Sequence, residues 1–172
     1  EPERLVVIAQ RSSQSEVDFP FSYPDFEDFR DAVDGRRRDS ADMARAFSGL
    51  TAYKDEVVNL SRPGGGTERT YVHAASGEYF AVLGVQPFLG RLFLAGEGRP
   101  AGADPIVVLT HAAWRSRFAS DPRIVGQTVK LNGVPFAVVG VTPPGFVGAA
   151  WGTALSGFVP ATMLPQLSLA HG

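Results

Sequence analysis

Three histidines have the widest chemical repertoire of any side chains in this sequence: His73, His111 and His171. A zinc site would need them paired at short spacing, or brought together with carboxylates by the fold. A hydrolase would need a histidine within hydrogen-bond reach of its catalytic partners. The three lie far apart with no paired spacing. They are therefore interpreted as a strand residue, an early helix residue and a tail residue, and a hydrolase site assembled only in three dimensions is the least favoured alternative.

Four acidic residues are dense enough to suggest acid–base catalysis or calcium binding, namely Asp25, Glu27, Asp28 and Asp31. A calcium loop, however, alternates oxygen ligands around a glycine turn, and this segment does not. Three apolar residues of the same segment recur at helical spacing: Phe26, Phe29 and Val33. We therefore expect the acidic residues on the solvated face of an amphipathic helix.

Arginine- and glycine-rich segments could bind phosphate, but none has the pattern of a nucleotide site. Arg36–Arg38 lacks the interleaved aromatic residues of a nucleic-acid surface and is interpreted as a solvated loop. Gly64–Gly66 is not followed by Lys-Ser/Thr and joins two predicted strands. The run GEGRPAG at residues 96–102 has the wrong glycine spacing for a dinucleotide fingerprint. We predict no cofactor.

The sequence contains no recognisable nucleophile. There is no cysteine, which excludes disulfides, thiolate metal ligands and a cysteine nucleophile. Ser76 lies in AASGE and not in a Gly-x-Ser-x-Gly elbow. Trp114 and Phe118 share a helical face and are more typical of a core than of a ligand pocket. No catalytic, cofactor-binding or metal-binding residue is predicted.

The composition is that of a globular domain without a strong charge bias. Apolar residues make up 44% of the 172 residues and the formal charge is −2, so neither nucleic acid nor anionic lipid is an expected partner. No apolar run reaches the roughly 18 residues that a membrane-spanning helix needs. No signal peptide precedes the first strand-like run, so the chain is expected to be a piece of something longer.

Helices and strands that could position these residues follow one another along the chain. Ser22 is predicted to cap a helix that ends at Gly35, Thr110 to cap a second helix, and residues 76–84 to form a short capped helix. Gly145–Gly157 is expected to be a loop. Strands are predicted at residues 5–9, 50–60, 68–74, 106–109 and 158–160.

A hairpin at Asn132–Gly133 is the best-determined local element. Both residues tolerate the positive φ of a type I′ turn. A two-residue loop pairs Leu131 with Val134 and places Pro135 opposite Lys130. The missing amide of Pro135 then points away from its partner, so the second strand should be a sheet edge near the turn.

Five stretches, taken in order, carry a family resemblance. They are RLVVI at residues 4–8, SYPDFEDFRD at 22–31, SGEYFAVLGVQPFLGRLF at 76–93, VVLTHAAWRSRF at 107–118 and DPRIVGQTVKLNGVPFAVVGV at 121–141. Together they resemble the periplasmic core domain of the MacB-like permeases of ABC transporters. The SYPDFEDFRD form is similar to macrolide-exporter-like permeases of acidobacteria and related soil bacteria.

The resemblance implies a mixed α/β fold, with a βαβ-containing lobe, a smaller β-rich lobe and the hairpin at Asn132–Gly133. It implies that residues 1–172 are a fragment of one periplasmic core domain. Members of the family have a further segment after the position of Gly172, and this segment is missing here. If that segment completes a sheet, its absence leaves a strand edge open.

The implied function is that of a non-enzymatic, extracytoplasmic domain of an inner-membrane permease. It would couple ATP hydrolysis in the cytoplasm to conformational change and partner engagement outside the membrane. The implied partners are an ATP-binding subunit reached through the membrane part and a second permease copy or half, with a periplasmic adaptor as a further candidate.

A stand-alone ligand-binding or sensor module is the main alternative. It would use the loop Gly145–Gly157, with Phe146 and Trp151 lining a pocket. The hydrolase assembled from scattered histidines and aspartates ranks below it.

Overall fold

A computed structural model of the chain describes residues 5, 6, 8, 10–11, 18–19, 22–36, 41–62, 64–94, 96–97, 102–148 and 154–169. The chain divides into two compact units, Glu1–Leu50 and Thr51–Gly172. Helices and strands are mixed, and the second unit contains the main sheet. The predicted α/β class is confirmed, and the β-rich unit is the longer of the two.

The first unit is built around one capped helix. Its elements in the described part are β1 (Gln10–Arg11), β2 (Asp18–Phe19), α1 (Tyr23–Val33) and α2 (Ala41–Ala46). As predicted, Ser22 caps α1: its Oγ accepts the N–H of Asp25, and Asp25 Oδ2 accepts the N–H of Ser22 at 3.1 Å. This reciprocal pair satisfies donors that a helix start leaves free. Gly35, at φ +69°, follows the last turn.

The predicted buried strand at residues 5–9 was wrong. Leu5, Val6 and Ile8 belong to no helix or strand and are 50%, 71% and 38% exposed. Val7 and Ala9 lie outside the described residues. An apolar run is buried as a strand only where a neighbouring strand bonds to it, and none of the described strands pairs with this segment.

The second unit contains ten further helices and strands in its described part, with 3₁₀ turns at Pro122–Ile124 and Ala161–Met163. They are β3 (Tyr53–Ser61), β4 (Thr67–Ala75), α3 (Tyr79–Val82), β5 (Leu89–Gly90), β6 (Ile106–Leu109), α4 (His111–Arg117), β7 (Thr128–Leu131), β8 (Val134–Val141), β9 (Leu155–Pro160) and α5 (Leu164–Leu169).

The strands of this unit close on themselves. Among the described residues the sheet order is β5-β8-β6-β9-β4-β3-β7, and β7 also pairs with β8. The seam is short, because β3 meets β7 only at Leu60–Leu131 and Ser61–Lys130. β6 and β8 are parallel neighbours joined through α4 and β7, which gives the predicted βαβ connection.

The hairpin is confirmed residue by residue. Asn132 and Gly133 have φ values of +49° and +82°, as a type I′ turn requires. Leu131 pairs with Val134 and Lys130 with Pro135. The β6 ladder begins only beyond Pro135, so the missing amide of this proline interrupts no ladder.

Alternation of side chains separates two apolar clusters in the second unit. The cluster enclosed by the strands includes Leu60, Leu131, Phe136 and Val138, all at most 1% exposed. Half of the buried residues in the cluster outside them are aromatic, namely Tyr79, Phe80, Phe93 and Phe158.

Three details of the second unit differ from the sequence predictions. Ser76 does not cap α3; its hydroxyl lies 2.8 Å from that of Thr51 and accepts the N–H of Ala52. Gly157 belongs to β9 and not to the preceding loop, because it pairs with Val72 on β4 and with Leu109 on β6. The extended segment predicted after Pro87 contains only the short strand β5, which pairs with β8 at two residues. No helix in the described ranges has the length and hydropathy to cross a membrane.

Candidate functional site

An arginine fork joins three elements of the second unit. The Nε and Nη2 atoms of Arg117, at the end of α4, donate to the carboxylate of Glu68 on β4 at 2.7–3.1 Å. Its Nη1 donates to the hydroxyl of Ser156 on β9, which lies 2.5 Å from the hydroxyl of Thr70. Hydrogen bonding to Arg117 lowers the pKa of the Glu68 carboxyl, so Glu68 is a carboxylate at neutral pH.

Arg62 reaches the same place from the end of β3. Its Nη1 donates to the carbonyl oxygen of Arg117 at 2.8 Å, at the helix end where carbonyl groups lack helical partners. Its Nε is buried and has no hydrogen-bond partner among the described residues. One bond therefore fixes this guanidinium, and part of its donor capacity stays unused.

A groove of about 550 Å³ opens beside these two arginines. We call it the arginine groove, and it is lined by Arg62, Gly64, Gly65, Arg117, Phe118, Asp121, Arg123, Ile124 and Gln127. Arg123 is highly exposed and bonds to both carboxylate oxygens of Asp121, the N-cap residue of the following 3₁₀ turn. This bonding lowers the pKa of Asp121 and raises that of Arg123. The groove therefore presents guanidinium groups beside apolar side chains.

His73 is a second candidate, on the outer face of β4. It is fully buried, and its Nε2 lies 2.7 Å from Oδ1 of Asp55, its cross-strand neighbour on β3. Apart from this short contact with Asp55, neither ring nitrogen has a hydrogen-bond partner among the described residues. Tyr53, Tyr79 and Phe158 surround the ring at centroid distances of 4.7, 6.4 and 5.5 Å.

The environment of His73 favours its neutral form. Burial lowers its pKa, and the charge of Asp55 opposes that shift without reversing it. A nearby carboxylate is one requirement of a catalytic histidine. In the described part of the chain, however, no serine or threonine hydroxyl hydrogen-bonds to His73. The contact with Asp55 alone does not make a nucleophilic site.

The other sequence candidates do not converge on either place. His111 meets Phe88 edge-on and packs at a tilt against Trp114, at centroid distances of 4.9 and 5.4 Å, and His171 lies outside the described residues. Trp114 is 8% exposed within the enclosed cluster, which confirms its core interpretation, whereas Phe118 is only partly buried against that cluster and also lines the arginine groove.

The charged and aromatic candidates on loops and on α1 are placed as follows. Arg36 forms ion pairs with Asp31, at 2.8 Å, and with Asp34, whereas Arg37 and Arg38 are outside the described residues. Phe146 is half-buried against Phe80 and Phe158, and Trp151 is not described. Within the described ranges, no three histidine or acidic side chains converge as metal ligands would.

Sequence reasoning did not identify the arginine groove. Its central contact joins Glu68 to Arg117, 49 residues apart, and no local pattern signals such a pair. The available signals were positional: Arg62 follows a predicted strand, and Arg117 lies in the last helical turn, where a cation meets free carbonyls.

Two solved structures similar to this chain are transporter domains from outside the cytoplasm. The periplasmic region of MacB from Actinobacillus actinomycetemcomitans has 23% identity and a TM-score of 0.58, over 74% of this chain and 56% of that one. The extracellular domain of the noncanonic ABC-type transporter YknZ from Gram-positive bacteria has 18% identity and a TM-score of 0.62, over 85% of this chain and 65% of that one. At such identities the likeness shows a shared fold, and this chain spans less than two thirds of either relative.

The family comparison is more specific. No curated protein matches the chain in sequence. The model of the MacB-like periplasmic core domain matches residues 1–171, which is nearly the whole chain. The expectation drawn from the five sequence stretches is thereby confirmed: this chain belongs to the family of MacB-like periplasmic core domains of ABC transporter permeases.

Proposed function

We propose that this chain is a non-enzymatic, extracytoplasmic domain of an ABC-type permease, which transmits movements driven by cytoplasmic ATP hydrolysis to substrates or partners outside the membrane. The family match over residues 1–171 carries the proposal. Its partners would be an ATP-binding subunit, reached through the membrane part, a second permease copy or half, and a periplasmic adaptor. The permease would lie in the inner membrane.

The construction of the second unit supports a mechanical role. Its strands are paired all round, and the Arg117 fork bonds α4 to both β4 and β9. A unit cross-linked in this way can move as a rigid body, and such rotations are a common means of transmitting conformational change.

The location can be tested by reading the coding sequence on both sides of these 172 residues. We expect an apolar run of about 20 residues shortly before Glu1 and further runs after Gly172. Sequence without such runs on either side would contradict the permease proposal.

The coupling can be tested with a spin label on the full permease and its ATPase in lipid. Ala112 is exposed on α4, and the chain contains no cysteine, so Ala112→Cys gives one labelled site in this domain. We expect the distance between labels on two copies to change when ATP is trapped. An unchanged distance in a transporter that still hydrolyses ATP would contradict the coupling, and an ATPase variant unable to bind nucleotide is the control.

The two alternative functions have less support in the structure. The ligand-binding module would need Phe146 to line an open pocket, and this ring packs on Phe80 and Phe158 instead. The hydrolase would rest on the contact between His73 and Asp55, which lacks a hydroxyl partner in the described part of the chain.

A further inference from the structure

The arginine groove contains a positive charge that is not neutralised. Arg117 is paired with Glu68 and Arg123 with Asp121. Arg62 forms no ion pair of its own among the described residues, and its charge also acts on Glu68, so three guanidinium groups share the two carboxylates of Glu68 and Asp121. The groove therefore has one uncompensated cation, although the chain as a whole has a formal charge of −2.

Arg62 also has unused hydrogen-bonding capacity. Its Nε is buried without a partner in the part of the chain that the structure describes. An unpaired buried donor is costly, and such donors are uncommon in native proteins. The side chain is nevertheless held in place, by the bond to the Arg117 carbonyl and by Gly65, where an added Cβ would lie 3.2 Å from Arg62 Cβ. Nε itself is covered, so an anion in the groove would meet the Nη atoms of this fixed guanidinium.

The remaining lining favours a peptide over a bare ion. The partly buried Phe118 provides apolar surface beside the guanidinium groups, together with the small exposed part of Ile124, which is 7% exposed. A Cβ added at Gly64 would meet nothing within 4 Å, so the backbone of a bound peptide can approach the protein there. A groove of about 550 Å³ is within the usual range of sites that bind small ligands.

We infer that the arginine groove binds an acidic peptide segment of a partner protein, with a carboxylate on Arg62 and an adjacent apolar side chain against Phe118 and Ile124. One uncompensated cation matches the single negative charge of a carboxylate. A phosphate group has a charge near −2 and would need more than one excess positive charge. Arginine recognises carboxylates through paired hydrogen bonds. The inference does not depend on the proposed permease function, because it is tested with the 172-residue chain alone.

The test measures binding of two peptides by fluorescence anisotropy, GELEFG and its amide counterpart GQLQFG, each labelled with fluorescein at the N-terminus and amidated at the C-terminus so that only the Glu side chains supply carboxylates. We expect GELEFG to bind more tightly than GQLQFG and to lose affinity as salt is raised. Arg62→Gln should weaken GELEFG binding about tenfold or more, since hydrogen bonds to charged groups are the strong ones. Arg69→Gln is the matched control, because Arg69 is exposed on the same hairpin but outside the groove.

Several results would overturn the inference. One is equal affinity for the two peptides. Another is an equal loss of affinity for GELEFG in the Arg62→Gln and Arg69→Gln variants. A third is no binding of GELEFG at millimolar concentration. Co-sedimentation with phosphatidylglycerol vesicles that Arg62→Gln abolishes, without any binding of GELEFG, would assign the groove to lipid headgroups instead.

A second measurement covers the case in which Arg62→Gln fails to fold. Titration of the unsubstituted chain with GELEFG should shift the amide NMR signals of Gly64, Gly65 and Gln127. Shifts confined to residues outside the groove would contradict the assignment.

Discussion

The backbone N–H of Asn132 donates to the carbonyl oxygen of Asn59 at 3.0 Å, and Oδ1 of Asn132 accepts the N–H of Asn59 at 2.7 Å. These two bonds imitate a hydrogen-bonded pair of an antiparallel sheet, using one side chain in place of a carbonyl. The Nδ2 of Asn132 also donates to the carbonyl oxygen of Leu167 on α5 at 3.1 Å. One turn residue therefore extends the seam that closes the strands and holds α5 against it.

Replacing Asn132 should test how much this seam stabilises the domain. Asn132→Gly keeps the positive φ but removes both side-chain bonds, so we expect the free energy of unfolding to fall by about 1 to 2 kcal/mol. Chemical denaturation monitored by circular dichroism measures it. Asn59→Ala is the control, because Asn59 contributes only backbone atoms to these bonds, and it should change stability by less than about 0.5 kcal/mol. Equal effects of the two substitutions would contradict the role of the Asn132 side chain.

The buried His73 should make stability depend on pH. Because burial lowers its pKa, the native ring stays neutral where the unfolded ring, with an ordinary value of 6.5, takes up a proton. The unfolded state then binds more protons, so stability should fall as pH drops below about 6.5, by at most about 1.4 kcal/mol per pH unit. Denaturation curves between pH 7.5 and 5.5 measure this slope.

His73→Phe is the comparison for the pH experiment, since it keeps a ring among Tyr53, Tyr79 and Phe158 but does not titrate. The variant should show a shallower fall in stability over the same pH range. If the two slopes coincide, or if the unsubstituted chain gains stability on acidification, the neutral buried histidine is the wrong description.

Gly148 should be far less tolerant of substitution than Gly145. Both have positive φ, +85° and +80°, where any alanine costs about 1 to 2 kcal/mol. A Cβ at Gly148 would lie 2.7 Å from Cε1 of His73, whereas at Gly145 it would meet nothing within 4 Å. Gly148→Ala should therefore destabilise the domain by about 1 to 3 kcal/mol more than Gly145→Ala. Similar unfolding midpoints for the two variants would show that Gly148 does not pack on His73.

Elements specified by neighbouring residues were predictable from the sequence. The cap at Ser22, the turn at Asn132–Gly133 and the cap at Thr110, whose hydroxyl accepts the N–H of Ala113, each depend on residues at most three positions apart. The local chemistry of these residue types is nearly independent of the rest of the fold.

Features that depend on distant partners were not predictable. The apolar run at residues 5–9 has the pattern of a buried strand, but burial requires a pairing partner that the pattern does not contain. The seam between Leu60 and Leu131 and the fork between Glu68 and Arg117 join segments many residues apart. The residue type of Ser76 suits a helix cap, but in the structure its hydroxyl bonds to Thr51 and Ala52, which local sequence does not reveal.

The most direct test of the central claim is cysteine accessibility of the full protein in intact cells. Ala112 and Ala113 are neighbours on α4, the first exposed and the second 1% exposed. A membrane-impermeant maleimide small enough to pass the outer membrane should label Ala112→Cys in intact cells, and should label Ala113→Cys only after denaturation. Labelling of Ala112→Cys only after the inner membrane is broken would place the domain in the cytoplasm and contradict its assignment as an extracytoplasmic permease domain.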